Sequence, residues 1–486
     1  MQPVTRIISE FIANTKCETL PVDLRRKAET IVIDTFAAIV SGAGSETAPS
    51  LMRYIETAGM SGNVPVLGTD VQTSAELAAF VNGTFGHALE YDDVFSMLPG
   101  HPAAVMVAAM IGDIAATRVS GEALTGAFIV GYEVCARIGI AMTLEHHRLR
   151  GFHATSTLGV FAAAAALSKL RSYDAEQTAR TLSIAASFSS GLLGQTGSSM
   201  KPVHSGWAAR NAVAAADLAR NGLDAVTDIF EAPRGFFNAY GTQNSCVERV
   251  VEDIGEPWAI LKPGVSLKKY PCCFAAHRGI EAVLHLRKEH DLHFADVKHI
   301  ECRLPPKGLV NMVYTRPRTG LQAKFSMEYA FLAALHDGEA TLSTFSDGAV
   351  QREVMQNNLH MVSNVEDPAC EEGLGEASGE ISGARGHVQI TITTKSGKSY
   401  VRKVAHAPGT PVSPLSPADL REKIGICANH AGMSREQAAD LETQLLSYGE
   451  KDDLKQLLGV LGRKDPDQNR HVARALLSAL PGFSEV

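Results

Sequence analysis

The sequence predicts a mainly α-helical protein: a large helical body, an α+β unit at about residues 266–400, and helices again to the C-terminus. Three observations predict it. Residues 24–222 are rich in Ala, Leu and Ile at helical spacing, with turn residues at regular intervals. After Gly264, short segments alternate with β-branched residues. After Pro411, Pro414 and Pro417, amphipathic helical periodicity returns.

The elements follow in order. Residues 27–40 place Ala28, Ile31, Val32, Phe36 and Ile39 along one stripe, so a helix with one buried face is expected. Residues 103–118 and 157–170 are apolar nearly all round, which puts those helices at the centre of a bundle or at an interface between subunits. Residues 299–304 (HIECRL) and 387–393 (HVQITIT) alternate as strands, and Lys395-Ser396-Gly397-Lys398 turns the second into residues 400–404 as a hairpin. Between these strands, residues 325–335 and 352–361 predict helices, which makes the unit α+β. Residues 418–431 and 435–447 predict amphipathic helices, followed by a charged helix and a short tail. The boundaries are thus 1–265, 266–400 and 401–486.

Composition excludes several functions. The chain has 486 residues, 45% hydrophobic and 20% charged, an ordinary soluble globular balance rather than a disordered or fibrous one. Residues 181–200 form the longest uncharged stretch, but their Ser, Thr, Gly and Gln are too polar for hydrocarbon, so no transmembrane helix and no membrane partner are expected. Arg6 and Glu10 interrupt any apolar run at the N-terminus, so a signal peptide is not expected and the cytoplasm is the expected compartment. Eight cysteines with no CxxC predict neither a disulfide framework, a zinc ribbon nor an iron–sulfur cluster. The net charge is −8 with scattered cations, which argues against nucleic acid as a partner.

Five stretches concentrate polar residues beside glycine, and each has a structural alternative. His87-Ala88-Leu89-Glu90-Tyr91-Asp92-Asp93 and Gly100-His101-Pro102 bring two histidines and three carboxylates before an apolar helix, suited to proton transfer or metal binding; helix caps and local turns are the alternative. Gly151-Phe152-His153-Ala154-Thr155-Ser156-Thr157 opens the next apolar helix, where free N–H groups and hydroxyls suit a carboxylate, or simply cap the helix. Lys201 in Met200-Lys201-Pro202-Val203-His204 sits at another helix start; the alternative is a surface lysine. Lys268-Lys269-Tyr270-Pro271-Cys272-Cys273 precedes His277 and Arg278, which admits Cys–His nucleophilic catalysis, although cysteines are also common as small buried hydrophobes. Tyr314, Arg316, Arg318 and Lys324 surround a cationic turn, which points to an anionic ligand or to a solvated loop.

In this order the stretches resemble the MmgE/PrpD family over most of the chain. GFHATSTLG is similar to the family's GFHPTxTLG, MKPVHSGWAARN to TKPxHxGxAARNG, and KKYPCCFAAHRGIEA to KxYPxCxxxH; LQAKFSMEY resembles AKFSxxY, and HALEYDD with GHP resembles HAxDxDD with HP. The family includes 2-methylcitrate dehydratase, cis-aconitate decarboxylase and iminodisuccinate epimerase. Departures are Ala154 for proline, Trp207 for a small residue and Glu90 for aspartate; the motif wording is closest to the epimerase.

The resemblance implies a helical domain assembled from the N-terminal part and the C-terminal segment, an inserted α+β lid, a homodimer, and a lyase or isomerase reaction on a small polycarboxylate with no cofactor and no metal. By the same resemblance His101 and His153 are acid/base candidates, with Lys201, His277 and Tyr314 at further catalytic positions and Asp93 or Glu90 orienting His101. The remaining binding candidates are Thr155, His204, Lys268, Lys269, Cys273, Arg278, Arg318 and Lys324. A non-catalytic carboxylate-binding protein and a Cys–His hydrolase stand as alternatives.

Overall fold

The computed structural model describes residues 2–371 and 386–462. The helical body forms as the spacing predicts: α1 (Val4–Asn14), α2 (Val22–Gly42), α3 (Ala75–Ala88), α4 (Pro102–Ala116), α5 (Gly121–Met142), α6 (Gly159–Leu170), α7 (Ala175–Ser187) and α8 (Met200–Arg220). Side chains start several of them: Ser74 accepts from the Leu77 N–H, Ser120 from the Ala123 N–H, and Asp174 forms a reciprocal capping box with Gln177. The apolar helices α4 and α6 are central, with Val105, Met106, Phe161 and Ala165 fully buried. Among the described residues one helix, α5, is long and apolar enough to cross a membrane, and 83% of its apolar window is buried against the rest of the protein.

Two of the helices approach each other backbone on backbone. A Cβ placed on Gly206 of α8 would lie 2.0 Å from the Phe80 carbonyl oxygen and 2.2 Å from Thr84 Oγ1 of α3, and one on Gly83 would lie 2.9 Å from the Gly206 Cα. The helices run antiparallel, so this contact brings the start of α8, with Lys201, against the end of α3, with His87. Gly206→Ala is expected to destabilise by about 1–3 kcal/mol, the usual range for overpacking, because a carbonyl on the facing helix cannot rotate away. A thermal melt checks it; an unchanged midpoint would mean that the helices part without strain.

Among the described residues, buried side chains fall into two hydrophobic cores. The first joins α1–α8 to Leu420, Ile424, Leu441, Leu445, Leu457 and Leu461 near the C-terminus; the second runs from Tyr270 to Ile392. At the junction, β1 (Asp93–Val94) and β2 (Ser266–Leu267) pair antiparallel, Asp93 opposite Leu267 and Val94 opposite Ser266.

The second core packs α9 (His277–Glu289) and α10 (Met327–Asp337) with β3 (Val297–Leu304), β4 (Val362–Glu366), β5 (Val388–Thr394) and β6 (Ser399–Val404). The strand order is β4-β3-β5-β6. β3 and β4 are parallel, whereas β3–β5 and the expected hairpin β5–β6 are antiparallel. Val388, Ile390 and Ile392 alternate inward, as the pattern predicts.

The helix expected over residues 352–361 is broken. It stops after Glu353–Gln356, a 3₁₀ turn covers Leu359–Met361, and β4 follows. Asn358 explains the break: its side-chain amide donates to the Val354 carbonyl at 2.8 Å and competes with the helix ladder.

The chain returns to the first core through α11 (Pro417–His430), α12 (Arg435–Leu446) and α13 (Lys455–Leu461), where Ser416 and Ser434 supply capping boxes. The tail expected after α13 lies outside the described residues.

Candidate active site

The end of α3, the start of α8 and the β1–β2 ribbon converge on a buried charge cluster. Lys201 Nζ donates to Glu90 Oε1 and lies 2.8 Å from His87 Nε2. Lys268 Nζ donates to Glu90 Oε2 at 2.9 Å and Asp92 Oδ1 at 3.2 Å. His87 Nδ1 is 2.7 Å from Asp92 Oδ2. Since a carboxylate only accepts, His87 carries its proton on Nδ1 and offers Nε2 to Lys201. The two ammonium groups balance the two carboxylates. Burial alone would raise both acids; Lys201 and Lys268 hold Glu90 well below the usual carboxylate range, and His101, Lys268 and His87 do the same for Asp92. Glu90 itself sits in the left-handed backbone region, with φ 52°, where the chain turns out of α3.

Histidines line the other side. His101 Nδ1 faces the Asp93 main-chain carbonyl and must donate to it, which leaves Nε2 as the acceptor; the His101 N–H donates to Thr155 Oγ1 at 3.2 Å. His153 Nδ1 lies 3.1 Å from His204 Nδ1. The His87 ring is 4.7 Å from that of His101 and 5.5 Å from that of His153. Burial pushes His101 and His147 down to about 3 and His204 to about 4, and holds His153 well below its ordinary value. These four imidazoles are therefore neutral at pH 7. Glu90, His101, His147, His153, Lys201 and Cys273 face one cavity.

Several expected site residues lie elsewhere. The Asp93 carboxylate turns away from His101, accepting from the Tyr132 hydroxyl at 2.8 Å and the Ala103 N–H at 3.2 Å, where it anchors the start of α4; only its main-chain carbonyl orients His101. Lys269 stands at a bend just past β2 and lies 3.8 Å from Asp419 beside a separate cleft. His277 is buried between Tyr270 and Phe274, off the cavity wall, and its Nε2 is 3.4 Å from the Cys272 carbonyl. Tyr314 donates its hydroxyl to the Thr196 carbonyl at 3.0 Å, one layer behind the wall. Arg278 is held in the second core and donates to the Gly386 carbonyl at 3.1 Å. Arg318 is exposed beside Gln356. Lys324 is buried behind the wall, its pKa lowered by burial against the pull of Glu46 and Glu90. For a Cys–His nucleophile the geometry is unfavourable: His277 addresses the carbonyl of Cys272, and burial raises both thiols.

His87 and Asp92 belong to the stretch read as suited to proton transfer or metal binding but had no individual role, and His147 was not expected to take part. His87 and Asp92 stand inside the quoted HALEYDD stretch, five apart, and that spacing across a helix end is the signal for their pairing. His147 carries no such signal. His87, Asp92 and His101 hold ligand-type atoms within 4.8 Å of one another, but Lys201 and Lys268 already donate to His87 and Asp92, so a metal ion there would face two ammonium groups.

The buried imidazoles predict acid sensitivity. Burial lowers His101, His146, His147, His153, His204, His277 and His430. Between the ordinary value of about 6.5 and the depressed folded values the unfolded chain binds more protons, so stability falls as pH falls. Glu90 and Asp92 add to this at the lower end, whereas Asp34 and Asp93, raised by burial, act in the opposite sense. Urea midpoints are expected to drop steeply from about pH 6.5 downward. A midpoint independent of pH over that interval would contradict the burial of these rings.

The chain matches the MmgE/PrpD N-terminal domain over residues 6–248 and the MmgE/PrpD C-terminal domain over residues 270–447, and it belongs to that family. It is similar to the cis-aconitate decarboxylase-like protein oryM of Aspergillus oryzae, with 25% identity over 94% of this chain and 97% of that protein. It is also similar to the cis-aconitate decarboxylases of Mus musculus, 26% identical over 93% of this chain and 91% of that protein, and of Homo sapiens, 26% identical over 87% of each. These relatives are decarboxylases or decarboxylase-like, whereas the motif wording leans to the epimerase.

Proposed function

We propose that the protein is a lyase of small di- or tricarboxylates, of the cis-aconitate decarboxylase type, working by proton transfer beside a carboxylate without a metal or cofactor. The observation that carries this reading is the cavity in which neutral His101 and His153 face Lys201. A polyanion entering there draws protons onto the depressed imidazoles, because opposite charge favours the protonated form. One imidazole then delivers a proton to carbon as a carbon–carbon bond to a leaving CO₂ breaks, or removes one in a dehydration or epimerisation. Lys201 stabilises the negative charge that develops next to the remaining carboxylate.

The α+β unit is read as the lid that excludes water, since it contributes Cys273 and Phe325 to the wall. The homodimer belongs to the same reading: Tyr54, Leu192, Met200 and Trp207 are exposed apolar side chains around one groove beside His204. Sedimentation at several concentrations tests that part.

The reaction is tested by incubating the protein in D₂O with cis-aconitate, citrate, 2-methylcitrate and iminodisuccinate and following the products by NMR. CO₂ release from cis-aconitate, with deuterium in the product, is expected. Water loss would make the protein a dehydratase, and exchange on an unchanged skeleton an epimerase. Binding without turnover of any of the four would overturn the catalytic reading.

A further inference from the structure

One buried cation takes no part in the cavity. Lys423, on α11, is 3% exposed, and its Nζ donates to the main-chain carbonyls of Tyr91 and Lys268, each at 2.8 Å. The same ammonium lies 2.7 Å from Asp34 Oδ1 and 4.1 Å from the centre of the Tyr91 ring. It thus ties α2 and α11 to the two segments that carry the site's charges: Tyr91 lies between Glu90 and Asp92, and Lys268 is itself the cation between those acids.

The ribbon explains why a tie is needed there. β1 and β2 pair at Asp93–Leu267 and Val94–Ser266 and no further toward the site. Asp92 and Lys268, which would form the next pair, meet through their side chains alone. Without Lys423 the main chains of these ends have no shared tie, and only the Lys268 ion pairs with Glu90 and Asp92 link them while the ribbon stays intact. Asp34 supplies the counter-charge 2.7 Å from the same ammonium.

We propose that Lys423 is a positioning residue of the active site. By holding the carbonyls of Tyr91 and Lys268 it sets the spacing between the Lys268 ammonium and the carboxylates of Glu90 and Asp92, and through them the seats of His87 and His101. The inference rests on the reading of the cavity as an active site, and a displacement of about 1 Å in such a site can lower turnover about 10²-fold.

The test compares Lys423→Met and Lys423→Arg with the parent. The Met variant is expected to lose about 10²-fold in kcat per folded molecule with KM within about threefold, and the Arg variant about tenfold in kcat, since its fork can hold the carbonyls at an altered spacing. The imidazole ¹³C resonances of His87 and His101 are expected to move in both. Unchanged kcat per folded molecule together with unmoved resonances would overturn the proposal. Should the Met variant not fold, the Arg variant decides by the same two readouts. Should the parent turn over no carboxylate, the functional reading fails, and the resonances still decide what Lys423 does.

Discussion

Lys201→Met is expected to lower kcat on the accepted carboxylate by about 10³-fold, the upper range for removing one preorganised stabiliser of developing charge. Among the described residues that line the cavity, Lys201 is the one lysine or arginine. Its ammonium reaches His87 Nε2 at 2.8 Å and Glu90, and it lies 5.1 Å from the centre of the Phe325 ring. Methionine keeps the length and apolar body of the side chain but leaves the reacting carbon without a fixed positive charge. Glu90 keeps Lys268, but the two acids are then left with one ammonium, so a loss of stability is expected beside the loss in turnover, and turnover is compared per folded molecule. Lys201→Arg is not expected to rescue, because a planar fork does not fit where a compact ammonium touches an imidazole and a carboxylate together. Single-turnover kinetics with a parallel thermal melt measure both quantities. A Met variant with a tenth of parental turnover would remove Lys201 from the chemistry.

Lys268→Met is expected to destabilise by about 3–5 kcal/mol, the range for stripping a buried charge of its partner. Lys268 is fully buried and donates to both Glu90 and Asp92. With Lys201 it balances the two acids; without it a net negative charge stays in the interior, and one carboxyl is expected to take up a proton near neutral pH. That acid's folded pKa is then raised above its unfolded value. The stability gap between variant and parent therefore narrows as pH falls toward that of an ordinary carboxylate, and widens as pH rises. Adding Asp92→Asn is expected to restore part of the loss by removing the unpaired charge while keeping an oxygen for His87 Nδ1–H. Urea unfolding of the two single variants and the double gives the coupling directly. A double variant no more stable than Lys268→Met would show that packing, and not charge balance, is what Lys268 supplies.

Much of the site lay in contiguous stretches of sequence. His101, His153, Lys201 and Glu90 stand in short runs at helix ends and Lys268 just past β2, and the structure brings these runs together. What the sequence left open came in neighbouring pairs. Asp92 and Asp93 sit side by side, as do Lys268 and Lys269, and composition cannot say which of each pair faces inward. Pairing of Asp93 with Leu267 makes that choice, because alternate residues of an extended chain face opposite sides. His277 and Tyr314 were assigned from motif position, and local packing against Tyr270, Phe274 and Thr196 carries them off the wall. His147 stands beside His146 in the short helix Glu145–Arg148, with nothing local to distinguish them: the first lines the cavity while the second bonds Thr157 Oγ1 at 2.7 Å.

By itself the sequence determined the helical body, the α+β unit with its hairpin and the stretches from which the site is drawn. Those features rest on periodicity, caps and turns, which act over a few residues. Only the tertiary structure decided which acid faces the imidazoles, which lysines are buried, and that the cavity histidines are neutral. Facing and proton affinity depend on burial and on charges brought from far along the chain, such as Lys268 against Glu90 and Lys423 against Tyr91. No local pattern records those approaches; close contacts such as that of Gly83 with Gly206 and the pairing of β1 with β2 create them.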